Sequence, residues 1–235
     1  MPDFNGKTVI ITGASAGVGA ACARAFARKG AKLVLAARGR PALDATAAEL
    51  ASTTEVLAIP MDVADDQACV DLLAQADSRF GSVDVLVNNA GVHHRGPVQT
   101  VDTASITAMV DVNLRAPLLL TSLALPCLER AGGGAVVMVG SLAGRTPVQG
   151  AATYAATKAG LRAFTHGLAD ELQGSTLHVG VVSPGPIDTG FIMDEIDEVE
   201  DIVFSQPMST AEEVAQAVLS VAAGEHTEIC LPAVS

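Results

Sequence analysis

The chain of 235 residues has no tryptophan and a single tyrosine, Tyr154. Basic residues are scarce: 14 Lys and Arg stand against 26 Asp and Glu, a formal net charge of −12, and no Lys/Arg-rich block occurs anywhere. A surface of that sign repels a phosphate backbone or an anionic bilayer, which excludes nucleic acid and a membrane surface as the main partner. No uninterrupted apolar run reaches the roughly 20 residues that a bilayer-spanning helix needs. Residues 1–7 also lack the basic start and apolar core of a secretory leader, so a cytoplasmic location is the expectation. The four cysteines, Cys22, Cys69, Cys127 and Cys230, lie far apart in apolar surroundings without C-x-x-C spacing. Buried thiols in a reducing compartment are expected. The five histidines form no ligand set, and the neighbours His93-His94 are poorly placed to share an ion, so no metal is expected.

What is present points to a packed α/β protein. With 49% hydrophobic and 17% charged residues the chain is globular. Apolar, β-prone runs near 7–12, 32–36, 55–60, 83–87, 134–139, 177–182 and 228–231 alternate with Ala-rich stretches near 17–29, 41–51, 65–80, 102–130, 151–173 and 209–223. Continuous apolar strands alternating with helices predict a doubly wound parallel sheet covered on both faces. No linker, low-complexity tract or repeat interrupts it, so residues 1–235 read as one domain.

In such sheets the ligand lies outside the carboxyl ends of the strands. The chemically unusual segments respect that rule six times running: Thr12-Gly13, Ala37-Arg38, Asp62-Val63, Asn88-Asn89-Ala90-Gly91, Ser141 and Ser183-Pro184-Gly185 each follow a predicted strand. In the first of these turns, Gly13, Ser15, Gly17, Val18 and Gly19 belong to a run whose glycines are spaced G-x-x-x-G-x-G between a strand and a helix. Glycines there permit a tight turn and let backbone N–H groups approach a pyrophosphate at a helix N-terminus. The second strand ends Ala36-Ala37-Arg38-Gly39-Arg40, where an NAD site usually offers a carboxylate to the ribose 2′-hydroxyl. An acid would repel a 2′-phosphate and Arg38 would hold it, so NADP(H) is expected over NAD(H), unless Arg38 is only a solvated residue opening the next helix.

Tyr154 and Lys158 stand at i and i+4 of a predicted helix, on one face. A phenol titrates near pH 10, so acid–base work near neutrality asks for a shift of roughly 3 units, about 4 kcal/mol. An ammonium roughly 4 Å away supplies about 1 kcal/mol in bulk water and about 4 kcal/mol at an effective dielectric of 20, so Lys158 tunes the phenol only in a partly closed site. Alone, Y-x-x-x-K is equally an ordinary pair on an exposed helix.

Taken together, T-G-x-x-x-G-x-G at 12–19, Asp62, N-N-A-G at 88–91, Asn113, Ser141, Y-x-x-x-K at 154–158 and P-G at 184–185 resemble the short-chain dehydrogenase/reductase family in order and over nearly the whole chain. The resemblance implies a single Rossmann-like domain with seven strands in the order 3-2-1-4-5-6-7 and a nicotinamide cofactor. It implies Tyr154 as the proton carrier and Lys158 as its tuner and ribose ligand. Ser141 would bind the substrate oxygen, and Asn113 would help a water relay from Lys158 to solvent. Asp62 and Val63 would meet the adenine end and Asn89, Ala90 and Gly91 would form the floor. Pro184, Gly185, Ile187 and Thr189 would cap the nicotinamide. It also implies a lid at about 189–208, where Ile192, Ile196, Val199 and Val203 recur at helical spacing with carboxylates opposite, expected to close on a neutral or hydrophobic carbonyl or alcohol substrate. Arg95 and Arg145 are the basic residues nearby for docking an acidic acyl carrier, an activity ranked below reduction of a free ketone or aldehyde. Small residues on more than one face of the helix at 151–173 mark it as buried, within the subunit or against another; the resemblance implies a homodimer or homotetramer that packs this helix and 102–130 against their mates. A non-catalytic NADP(H) sensor is the rival from another class.

Overall fold

The computed structural model describes residues 3–146, 148–187 and 208–232. Seven strands form one parallel sheet: β1 (Thr8–Thr12), β2 (Lys32–Ala37), β3 (Val56–Pro60), β4 (Val85–Asn88), β5 (Gly134–Val139), β6 (Leu177–Pro184) and β7 (Glu228–Leu231). Their order is β3-β2-β1-β4-β5-β6-β7, as the resemblance implied. The strands are apolar without alternation because helices bury both faces. Side chains of opposite parity then enter different cores: Val9, Ile11, Leu33, Leu35, Val85, Val87 and Val137 face one cluster, and Ile10, Val34, Leu86, Val136 and Met138 face the other. Helices α1 (Gly17–Ala27), α2 (Arg40–Leu50) and α7 (Ala211–Ala222) close the first face through Cys22, Phe26, Leu43 and Val218. Helices α3 (Asp66–Phe80), α5 (Ala116–Arg130) and α6 (Ala152–Glu171) close the second through Leu72, Leu120, Leu128 and Leu161.

Local chemistry sets the helix ends. The Asp65 carboxylate accepts from the N–H groups of Gln67 and Ala68 at the start of α3, and Gly81, at φ 80°, ends it. Thr210 and Glu213 make a reciprocal capping box on α7.

Three expectations change. The long helix expected near 102–130 is α4 (Thr103–Val110), a π turn over Asp111–Arg115, and α5. By length and composition the continuous helix Thr103–Arg130 could cross a membrane, with mean hydropathy 1.3 over an 18-residue window, 44% of which is buried within the protein. It is no uninterrupted apolar run, because Asp111, Asn113 and Arg115 break the sequence at the π turn. Strand β6 runs two residues beyond its expected end, since β7 offers partners to Ser183 and Pro184. Of the cysteines, Cys22 and Cys69 are buried while Cys127 and Cys230 are only partly so.

Candidate active site

A cavity of about 940 Å³ opens along the carboxyl ends of the strands. Its first wall is the turn from β1 to α1, where Gly13 (φ 65°) and Gly17 (φ 51°) take left-handed backbone that other residues avoid. A Cβ on Gly13 would lie 2.8 Å from Asn89 Nδ2, and one on Gly19 would overlap the Gly13 carbonyl oxygen, so side chains are excluded from the cradle for want of space. Gly13, Ser15, Gly17 and Val18 line the cavity, and Gly19 sits behind them. The turn is stitched to β4: Thr12 Oγ1 accepts the N–H groups of Asn89 and Ala90 at 3.0 Å each, and Asn89 Nδ2 donates to the carbonyls of Thr12 (2.9 Å) and Gly13 (3.2 Å). Thr12 thereby fixes the floor formed by Asn89, Ala90 and Gly91. Its role was missed in the sequence, although a β1-terminal hydroxyl opposite N-N-A-G was a usable signal.

At the outer end lie Arg38, Asp62 and Val63. Asp62 Oδ1 accepts from Ala64 N–H at 2.9 Å, which fixes the turn after β3. Arg38 is exposed, and among the described residues it has no carboxylate partner, whereas Arg40 pairs with Asp44.

The inner end assembles Ser141, Tyr154 and Lys158. Ser141 caps the short helical turn Leu142–Gly144, its Oγ accepting from Ala143 N–H at 3.2 Å. Gly144 lets that turn lie against α6, because a Cβ there would stand 2.7 Å from the Lys158 carbonyl carbon. The Ser141 hydroxyl lies near enough to the Tyr154 phenol to favour its ionised form. Lys158 is 5% exposed, donates from Nζ to the Val139 carbonyl at 2.9 Å, and holds Nζ 5.7 Å from the Tyr154 ring centre.

Electrostatically this pair departs from the expected picture. Burial pushes the Tyr154 phenol up to about 12, against the lowering effect of the Ser141 hydroxyl. Burial also lowers the Lys158 ammonium to about 8. Desolvation therefore dominates both shifts, and the amine is not among the causes that move the phenol.

Asn113 lies in the π turn, is fully buried and does not line the cavity. Its Oδ1 accepts from Val92 N–H and its Nδ2 donates to the Val92 carbonyl, both at 2.8 Å, so it clamps the segment following N-N-A-G. Nδ2 also reaches Thr157 Oγ1 at 3.4 Å, and Thr157 donates to the Tyr154 carbonyl at 2.7 Å. Asn113 is thus linked to the tyrosine through α6. Pro184, Gly185 and Ile187 line the cavity, while Thr189 and the expected lid at 189–208 fall largely or wholly outside the described residues. His93, set aside in the sequence as half of a poor metal pair, packs edge-on against Tyr154 with ring centres 4.2 Å apart.

Comparison with known proteins agrees with this architecture. A family model described as short chain dehydrogenase matches residues 7–200. The ketoacyl reductase HetN of a Nostoc species is 36% identical over 231 residues, 97% of this chain and 79% of that protein. Sulfoacetaldehyde reductase 2 of Chromohalobacter salexigens is 38% identical over 187 residues, 79% of this chain and 74% of that protein. The crystal structure of a short-chain type dehydrogenase/reductase from Mycobacterium marinum superposes with a TM-score of 0.89 at 28% identity, covering 97% of this chain and 94% of the other. With the sheet order, the glycine cradle and these matches in agreement, the chain belongs to the short-chain dehydrogenase/reductase family of nicotinamide-dependent enzymes that act on small molecules.

Proposed function

We propose that this enzyme interconverts a ketone or aldehyde with the corresponding alcohol, using NADP(H) and Tyr154 as general acid and base. The observation that carries the reading is the half-buried Tyr154 phenol beside Ser141, in the same cavity as Lys158 and the side-chain-free cradle of Gly13 and Gly17. The residues fit a dinucleotide: the cradle at an α-helix N-terminus suits its pyrophosphate, and Arg38, without a carboxylate partner among the described residues, suits a ribose 2′-phosphate. A bound nicotinamide supplies or accepts the hydride. The chain must add one proton and an orientation.

Each residue then has a physical task. Ser141 donates its one hydroxyl hydrogen to the reacting oxygen when substrate is bound, and without substrate its hydroxyl favours the ionised phenol. Tyr154 keeps its proton up to about pH 12, so at neutral pH it is ready to donate to the oxygen of a carbonyl, which favours reduction. Lys158 keeps two of its N–H groups beyond the one spent on Val139, enough for a ribose hydroxyl. Asp62 and Val63 would meet the adenine end of the cofactor, and Pro184, Gly185, Ile187 and Thr189 would cap its nicotinamide. Asn113 has its amide spent on Val92 and Thr157, so its side chain serves to position the segment after Gly91 and the α6 turn that carries Tyr154. The exposed Val110 beside the π turn supports packing of this helix against a second copy in a homodimer or homotetramer.

Likeness to a ketoacyl reductase favours a second reading, reduction of a 3-oxoacyl group on an acidic carrier. Loss of NADPH absorbance should be followed with a panel of free ketones and aldehydes beside a carrier-bound 3-oxoacyl substrate. Turnover of the carrier-bound substrate alone reverses the ranking. Tyr154→Phe should lose about 10²- to 10⁴-fold in kcat/KM, the usual worth of a general acid, and an undiminished rate refutes the mechanism. Arg38→Ala should raise KM for NADPH about tenfold or more and leave that for NADH little changed, the loss of one charge-assisted phosphate contact.

A further inference from the structure

The two ends of the cavity differ in charge. Among the described residues that line it, Asp62 is the only acid, and it follows β3 at one edge of the sheet. Ser141 follows β5, four strands away, or about 19 Å at roughly 4.8 Å per strand. On that side the lining carries His93, Arg95, Arg145 and Lys158 and no described carboxylate. A chain of net charge −12 repels small anions in general, so a basic pocket end runs against its average.

The donors there are only partly spent. Arg145 gives Nη1 to Glu228 Oε1 at 2.9 Å and to Cys230 Sγ at 3.1 Å, and its Nε and Nη2 make no bond among the described residues. Glu228 also accepts from Arg162 Nε at 2.7 Å and Nη2 at 2.8 Å, and lies 3.0 Å from a ring nitrogen of His166. One carboxylate shared by two guanidinium groups leaves a positive charge over. Arg95 gives Nη2 to the Gln149 carbonyl at 3.1 Å and has no carboxylate partner among the described residues. His93 Nε2 is buried without a hydrogen-bond partner, beside the Tyr154 ring. Burial lowers the His93 imidazolium to about 4, so at pH 7 the ring is a neutral donor or acceptor.

We infer that the substrate carries an oxyanion, a carboxylate or sulfonate a few bonds from the reacting carbonyl, which Arg95 and Arg145 hold while His93 meets a polar atom next to the reacting oxygen. Planar guanidinium forks match an oxyanion two bonds at a time and set the distance from the anion to Tyr154. This replaces the expectation of a neutral or hydrophobic substrate, and it rests on the carbonyl-reductase reading above.

The NADPH-loaded enzyme should be compared on succinic semialdehyde and its methyl ester, which differ in one charge. The acid should exceed the ester in kcat/KM by about 10- to 100-fold, the worth of a hydrogen bond to a charged group, and Arg95→Met should bring the ratio close to one. A ratio near one in the unmodified enzyme overturns the inference, as does turnover confined to a carrier-bound 3-oxoacyl substrate. A binding measurement separates this from the reductase reading. With no tryptophan and one tyrosine, intrinsic emission reports Tyr154 alone, so the NADP⁺ complex can be titrated with butanoate and with butanamide. Butanoate should bind about tenfold more tightly, an advantage that Arg95→Met removes. Equal binding of acid and amide refutes the anion site whatever the enzyme turns over. Butanoate-selective binding in a protein that reduces no carbonyl supports the site and refutes the reductase.

Discussion

Lys158 is held charged where charge is costly. Its amine lies at 5% exposure with one carbonyl partner, and burial brings its titration from 10.5 down to about 8. Between these values the unfolded chain binds a proton that the folded protein has released, so stability rises with pH across that window. At pH 7 the buried ammonium costs about 3 kcal/mol, the free energy of a shift of that size. Tyr154 works in the opposite sense. Its phenol is raised from 10 to about 12, so its contribution is complete below pH 10 and is lost as pH climbs through 12. Lys158→Met should therefore flatten the gain in the urea midpoint of the cofactor-free protein between pH 8 and 10, and curves that stay parallel refute the assignment. Ser141→Ala should raise the Tyr154 titration further, because the Ser141 hydroxyl is what lowers the phenol. Phenolate absorbance of the only tyrosine measures it directly, and an unmoved or lowered midpoint contradicts that influence of Ser141. The identity of this pair was legible in the sequence because residue type and i,i+4 spacing are local properties. The sign of the phenol shift was not, because desolvation depends on atoms brought in by β4, β5 and the turn after β5.

The elements position these residues through contacts between backbones. The turn after β5 carries Ser141, α6 carries Tyr154 and Lys158, and the two meet at Gly144. An added Cβ there would stand 2.7 Å from the carbonyl carbon and 2.8 Å from the carbonyl oxygen of Lys158, atoms that cannot rotate away. Gly144→Ala should push the Ser141 turn off α6. We expect a loss of about 10²-fold in kcat/KM, the effect of displacing a reacting group by about 1 Å, and a fall in Tm of about 2–8 °C for an overpacking cost of about 1–2 kcal/mol. A variant with unchanged kcat/KM shows that the turn does not set the distance from Ser141 to Tyr154. All seven strands and the helices α1 to α7, apart from the break between α4 and α5, were readable from apolar periodicity to within a few residues. The π turn was not, since no local pattern encodes an i+5 bond: its Asn113 is held by Val92 and Thr157, residues 21 and 44 positions away. Gly144 carried no signal either, because its φ is ordinary and only the approach of α6 demands a missing side chain.

At the scale of the molecule, sheet order follows from alternation and from ligand-side loops at strand ends, both written along the chain. Charge clusters joining distant segments are not. Glu228 on β7 receives Arg145, 83 residues away, with Arg162 and His166 from α6, and is only 14% exposed. The Arg162 hydrogen bonds first, then His166 and the charges of Arg162 and Arg145, bring its carboxyl from 4.5 down to about 2. A carboxylate depressed in the folded state adds stability above the unfolded value, and that stability is lost as pH falls from 4.5 towards 2. Glu228→Gln removes the charge but nearly keeps the shape, and it leaves Arg145 and Arg162 facing each other without a counter-charge. The variant should be less stable than the unmodified protein above pH 5, with the two denaturation midpoints converging as pH approaches 2. A difference that stays constant across that range assigns the loss to packing rather than to the ion cluster. The same cluster bears on substrate binding, since the carboxylate that holds Arg145 against β7 also withdraws part of its charge from the cavity. Freed of that partner, Arg145 in Glu228→Gln should raise the preference for succinic semialdehyde over its methyl ester, and a lowered preference would show instead that Glu228 is needed to aim the guanidinium at the substrate.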